Sequence, residues 1–330
     1  MKRYAELLKP VRIANLEIDN RVAVIADDQR LADADGNVSN ELIRSRMTQA
    51  KSGAGLIITE PFIVDFGEQA APDNGSSDLL IDSDEYLPNL QRLTSAIHAA
   101  GASVIIRLGL SNVLYGAPIL RGVAQNESNP ALDVVNGEYE RLRIIACFRA
   151  AAGRVAKTGA DGIELDGALA CNLRSPALQR MINGRSVSGA DAFNDFFEVV
   201  NEMRRAFPTG RPIICRIDLN SFIILNDGFE DLINLAETLK TNGQFDALHL
   251  ISDPLMSSNY QLKNWSEAVR ASAGLPIIST VGVNSLDEAD ALIASGSADI
   301  CGFRNALPKQ GVIRRPRSSV YLWSAGRRRE

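Results

Sequence analysis

A chain of 330 residues has room for two average domains or for one α/β barrel, and at that length about three quarters of the unfolded surface is buried on folding. A net charge of −5 with 23% charged residues, and no Lys/Arg stripe with interleaved aromatics in the body of the chain, argue against a nucleic-acid partner. The opening MKRYAELLKPVRI lacks the apolar core of a signal peptide, and no stretch approaches the ~20 apolar residues of a membrane span, so the expectation is a cytoplasmic protein with no membrane partner.

In chain order, short apolar runs alternate with amphipathic helical patterns. The first run, RVAVIA (21–26), is followed by the helical ELIRSRMTQAKSG, then by GLIITE (55–60). YLPNLQRLTSAIHAAG leads to SVIIRL (103–108), and YERLRIIACFRAAAGRVAKTG leads to GIELDG (162–167). After DFFEVVNEMRRAF come PIICRIDL (212–219), ALHLIS (247–252), PIISTVG (276–282) and DICGF (299–303). The Gly that follows several of the helical patterns suits a helix C-cap. Runs apolar on both faces, alternating with helices, indicate a parallel sheet. Eight such units predict one closed (β/α)8 TIM barrel over residues 1–307, followed by a basic tail, 308–330, whose VIRRPRSSVYLWSAGRRRE carries six arginines. An open doubly wound sheet is the lesser alternative, since it leaves two edges to protect. Neither a G-x-G-x-x-G nor a P-loop pattern occurs, so those phosphate cradles are unsupported.

Barrel enzymes place their chemistry at the C-terminal ends of the strands. Those ends supply Asp27 and Asp28, Glu60, Arg107, Asp166, Arg216 with Asp218, Ser252 and Asp253, Thr280 and Arg304. Arg107 and Asp166 end neighbouring strands about 4.8 Å apart. If both point inward they pair, each offsetting the desolvation of the other; the plainer alternative is a structural ion pair. With two histidines and four widely spaced cysteines, a His-rich zinc site is excluded in practice, and Cys215 and Cys301 read as buried thiols. His98, on a helix, and His249, inside a strand, read as packed or surface residues. Cys171 has nothing nearby in sequence to lower its pKa.

Several blocks carry a resemblance. LLKPVRIANLEIDNRVAV, AKSGAGLIITE, YLPNLQRLTSAIHAAGASVIIRL, FRAAAGRVAKTGADGIELDGA and LPIISTVGVNSLDEADALIASGSADICGF resemble, in the same order, blocks of the Old Yellow Enzyme family of NADH:flavin oxidoreductases and FMN-dependent ene reductases. The similarity covers about residues 5 to 307 and implies a single TIM barrel with FMN, if bound, across its mouth. At the functional positions the chain departs from the family. The family's carbonyl-binding His-Gly-Ala-His/Asn stands here as Asp166-Gly167-Ala168-Leu169, and its proton-donating tyrosine as Cys171. A carboxylate donates no hydrogen bond unless protonated, and leucine donates none. The family glutamine that reads the flavin pyrimidine edge aligns with Arg107, and its Ala-Pro-Met with Ile25-Ala26-Asp27. The phosphate-binding Gly-Gly and Gly-Arg align with Val281-Gly282 and Arg304-Asn305, while Arg216 matches the strand-five arginine.

Those replacements predict a barrel of this descent turned to non-redox chemistry without a cofactor: a biosynthetic isomerisation, cyclisation or elimination on a small unsaturated carbonyl compound. Asp166 would be the general base, and Arg107 would stabilise an enolate or anchor a carboxylate. Asp27, Glu60, Leu169, Cys171 and Asn172 would line the substrate pocket. The first alternative keeps FMN as an atypical oxidoreductase cofactor held by Arg216, Gly282 and Arg304, with Arg107 facing the pyrimidine edge. The second is a non-catalytic binding protein. The resemblance also leaves a homo-oligomer open.

Overall fold

In a computed structural model the chain is described over residues 4–27, 29–64, 78–110, 137–166, 189–223, 228–252 and 260–307. The eight apolar runs are eight parallel strands. They are β3 (Val22–Ile25), β4 (Leu56–Ile63), β6 (Ser103–Gly109), β7 (Gly162–Asp166), β8 (Ile213–Asp218), β9 (Ala247–Ile251), β10 (Ile277–Ser279) and β11 (Ile300–Arg304). Each pairs with its neighbours, and β11 pairs with β3, so the sheet closes on itself. Three shorter strands complete the set. β1 (Val11–Ile13) and β2 (Leu16–Ile18) form an antiparallel hairpin, and β5 (Leu79–Leu80) extends the end of β4.

The predicted helical patterns form α1 (Asn40–Lys51), α2 (Leu87–Ala99), α3 (Gly137–Thr158) and α4 (Gly189–Ala206). α5 (Gly228–Asn242), α6 (Tyr260–Ala273) and α7 (Leu286–Ala294) follow. Ser39 caps α1 by accepting from the Leu42 amide at 3.1 Å. Ser285 caps α7 in the same way through the Glu288 amide, at 3.1 Å, in the S-x-x-E arrangement of a capping box. Gly101 and Gly159, which follow α2 and α3, have φ of +87° and +83°, a left-handed conformation that costs glycine nothing. No helix among the described residues is long and apolar enough to cross a membrane.

Alternation along the strands divides the core in two. Ala23, Ile25, Leu56, Ile58, Ile105, Ile214, Ala247, Ile278 and Ile300 fill the barrel, with Ile13 and Ile18 of the hairpin packed against them from below. Val24, Ile57, Val104, Ile106, Ile163, Leu165, Ile213, Cys215, Leu248, Leu250 and Ile277 face the helices. Gly162 belongs to the crowded interior: a Cβ there would lie 2.5 Å from Ile105 Cδ1 and 2.7 Å from the Pro212 carbonyl oxygen.

A three-fold repeat fastens the lower rim. Asp161, Asp246 and Asp299 each precede a strand, and each accepts the amide of the strand before it: Val104 at 2.7 Å, Ile213 at 2.9 Å and Ile277 at 2.8 Å. Each is also paired with a basic side chain from the helix layer, that of His98, Arg204 and Arg270 respectively. This end of the barrel is therefore built for stability, and the opposite end is left for chemistry.

Candidate active site

Toward the strand C-termini the interior changes from aliphatic to charged. Arg107, Glu164, Arg216 and His249 each stand two residues beyond a residue of the interior set (Ile105, Gly162, Ile214, Ala247), so period-2 alternation turns all four inward. Glu164 and His249 are 0% exposed and Arg107 is 4% exposed. Arg107 Nε donates to Glu164 Oε1 at 2.6 Å, and His249 Nδ1 lies 2.6 Å from Glu164 Oε2. β7 and β9 are alternate strands, which in a barrel of this kind share a layer. That sharing lets Glu164 reach His249 two strands away. Arg107 extends across the barrel to the end of β3, where Nη1 lies 3.5 Å from the Ala26 carbonyl oxygen.

Burial by itself pushes the Glu164 carboxyl up, yet His249, Arg107 and Arg216 together hold it down at about 2. His249 moves down from its ordinary value, chiefly by burial, with Arg107 and Arg216 adding to that effect against the pull of Glu164. Since the two arginines stay charged at any ordinary pH, we assign an ionised Glu164 and a neutral His249. The layer thus presents the Arg107 guanidinium, fixed by an ionised carboxylate, beside a neutral imidazole.

Arg107 Nε goes to Glu164, its direct neighbour in register, while Asp166, the partner expected for Arg107, is level with Arg216. Asp166 ends β7 one step nearer the mouth, and its side chain lies outside the described residues, as do Asp28, Leu169, Cys171, Asn172 and Asp253.

Glu60 also departs from expectation. Strict alternation from Leu56 and Ile58 would turn it inward, but the register shifts between Ile58 and Pro61, and such a bulge moves the following side chains to the other face. Glu60 therefore faces α1, where Arg46 grips both carboxylate oxygens. Both side chains are buried. Burial brings the Arg46 guanidinium down to about 10, and the pair ties the end of β4 to α1.

At the rim between β11 and β3, Asp27 receives Asn305 twice: the Asp27 amide donates to Asn305 Oδ1 at 2.9 Å, and Asn305 Nδ2 donates to Asp27 Oδ2 at 3.2 Å. Arg304 donates through Nη2 to the Ser252 carbonyl and lies 3.9 Å from Asp27. Its side chain is 29% exposed and that of Asp27 40%. Gly282, just past β10, has φ +73°. Val281 and Asn305, at the positions aligned with the phosphate-binding glycine loops, use their amides internally, on Ser279 Oγ at 3.1 Å and on the Ile25 carbonyl at 2.9 Å. Arg304 is then the main charged group available to a phosphate at this rim.

Among the described residues, Arg107 Nη2 and His249 Nε2 of the charged layer are buried without a hydrogen-bond partner. Leaving a buried donor or acceptor unmet costs about 1–3 kcal/mol, so the layer calls for a polar guest. A flavin's pyrimidine edge, where carbonyl acceptors alternate with an N–H donor, meets an orphan guanidinium N–H and an orphan imidazole nitrogen. The residues present fit that group, with Arg304 at the phosphate end. Among the described residues no cluster of His, Cys, Asp and Glu could hold a metal ion.

Glu164 and His249 are the two residues that reading the strand ends missed. The signal was present for both: each is a polar residue inside an apolar strand, and Glu164 shares the parity of Asp166.

Comparison with known proteins agrees with this geometry. The chain is 25% identical over 318 residues to the NADH oxidase of Thermoanaerobacter brockii, covering 91% of the chain and 48% of that protein, so it spans about half the length of that relative. It is 22% identical to an NADPH dehydrogenase of Clostridium acetobutylicum, covering 89% of each. The fold superposes on the Old Yellow Enzyme homologue of Zymomonas mobilis with a TM-score of 0.67 at 18% identity, covering 90% of the chain and 88% of that structure. Residues 6–309 match the family model described as NADH:flavin oxidoreductase / NADH oxidase, and the chain belongs to that family.

Proposed function

We propose that the chain is an FMN-dependent oxidoreductase with an altered polar layer, oxidising a reduced nicotinamide nucleotide and passing the electrons to a small organic acceptor. Family membership supports the redox class, and the names of the relatives, an NADH oxidase and an NADPH dehydrogenase, support the choice of electron donor. The observation that carries the cofactor is the buried guanidinium of Arg107, held by Glu164 at 2.6 Å with Nη2 unspent. Bound across the mouth, FMN supplies a group that accepts and returns a hydride.

This chain's own residues do the rest. Arg107 donates to the pyrimidine edge and, being permanently charged, favours negative charge there. Glu164 fixes the direction of that donation. Arg304 and Gly282, on adjacent strands at the rim, take the phosphate. Asp27 and Asn305 brace the end of β3 against β11.

The redox names of the relatives support this reading over the expectation of cofactor-free chemistry, whose base, Asp166, has its side chain outside the described residues. The test is turnover: protein loaded with FMN is mixed with NADH or NADPH under anaerobic conditions and the bleaching of the flavin band is followed. Bleaching is expected, slowed at least tenfold in Arg107→Ala. A flavin that binds stoichiometrically and is never reduced by either nucleotide overturns the redox reading.

A further inference from the structure

We propose that Glu164 is the positioning residue of this site. One of its oxygens fixes the Arg107 guanidinium and the other holds His249 as the Nδ1–H tautomer, so that the layer offers a ligand a donor at Arg107 Nη2 and an acceptor at His249 Nε2. The inference rests on the reading of this layer as the ligand site, and it concerns Glu164, which the flavin reading places behind the contact rather than in it.

An ionised carboxylate can only accept hydrogen bonds. With Oε1 taken by Arg107 Nε and Oε2 placed 2.6 Å from His249 Nδ1, the hydrogen of that second contact belongs to the histidine. The groups that bear on the pair from the packed strands are Arg107 on β6 and Arg216 on β8. Both favour the ionised carboxylate and disfavour an imidazolium. A neutral imidazole carries a single N–H, so once Nδ1 holds it, Nε2 is a bare lone pair, buried and without a partner among the described residues.

Specificity follows from this arrangement. A guest that presents a carbonyl oxygen to Arg107 and an N–H or O–H to His249, as a lactam, imide or primary amide does, satisfies both atoms. A carboxylate satisfies the arginine and sets lone pair against lone pair at the histidine. Glu164 thereby turns a charged layer into one that discriminates between an amide-like edge and an acid.

The chain contains two histidines, His98 and His249, so the full-length protein labelled with 15N-histidine gives two imidazole spin systems, and loss of one in His249→Asn assigns the other. The expected spectrum shows His249 with a protonated Nδ1 and an unprotonated Nε2, unchanged from about pH 6 to 8, where an unperturbed histidine titrates. An Nε2–H tautomer or an imidazolium in that range overturns the proposal. Glu164→Gln is expected to mix the tautomers and to weaken FMN binding about tenfold, the effect of one lost charge-assisted hydrogen bond. Should that variant fail to fold, the spectrum of the parent protein still decides. Addition of FMN is expected to shift the Nε2 resonance. Binding of FMN without that shift overturns the ligand half of the proposal, whereas failure of FMN to bind counts against the flavin reading and leaves the tautomer to the spectrum.

Discussion

Replacing Glu164 by Gln removes one negative charge from a layer closed to solvent and keeps the side-chain shape. The 0% exposed carboxylate is the counter-charge of Arg107 and the hydrogen-bond acceptor of His249, each at 2.6 Å. Breaking a buried pair by neutralising one member costs about 3–5 kcal/mol, because the other charge stays behind uncompensated. The direction of the Glu164 shift agrees, since the carboxyl is held below its ordinary 4.5 and its ionised form therefore stabilises the fold at neutral pH.

The sign follows from the direction of the shift. A depressed folded-state value stabilises fully above the unfolded value and loses its effect as the pH falls toward the folded one, so the stabilisation present at pH 7 is smaller near pH 3. Urea denaturation of the parent and of E164Q, followed by circular dichroism at both pH values, measures the difference. Adding Arg107→Gln to E164Q removes the stranded cation, and the double variant is expected to regain at least about 1 kcal/mol over E164Q, a coupling within the range seen for groups in contact. Equal stability of E164Q and parent at pH 7, or a gap that does not narrow on acidification, would refute the electrostatic argument.

Arg46→Met strands the buried Glu60 carboxylate against α1 and is expected to lower stability by about 3–5 kcal/mol while leaving turnover per folded molecule unchanged; calorimetry beside a rate assay checks both halves. Asp299→Ala deprives the Ile277 amide of its acceptor and Arg270 of its counter-ion. It should cost about 1–3 kcal/mol and speed hydrogen exchange at Ile277 more than at Ile213, which keeps its own clasp. Gly162→Ala forces a methyl group against Ile105 and the Pro212 carbonyl. A loss of about 1–3 kcal/mol in urea midpoint analysis is expected, and an unchanged midpoint would contradict the crowded barrel floor described above.

Much of the fold was legible because it depends on local pattern. Eight apolar runs became eight strands, with ends within about three residues of expectation, since burial on both faces leaves a run of Val, Ile and Leu few other conformations. The site was legible where parity alone decides the matter, as at Arg107, which does point inward. Parity failed at Glu60, where a bulge reverses the faces; Pro61, which lacks a ladder N–H, is the one residue of LIITEPFI that hints at it. The Arg107–Glu164 contact was hidden for a related reason: strand stagger, a property of barrel closure, sets Glu164 opposite Arg107. The lower-rim clasp was equally hidden. Asp161, Asp246 and Asp299 look like ordinary loop acids until the neighbouring strand brings an amide to each of them.

The central claim is that this barrel holds a flavin nucleotide against Arg107. Titrating the purified, flavin-free chain with FMN and following the quenching of flavin fluorescence tests it most directly. The account predicts saturable one-to-one binding that weakens at least tenfold in Arg107→Ala, and a folded protein that leaves FMN fluorescence unquenched at every concentration would contradict it.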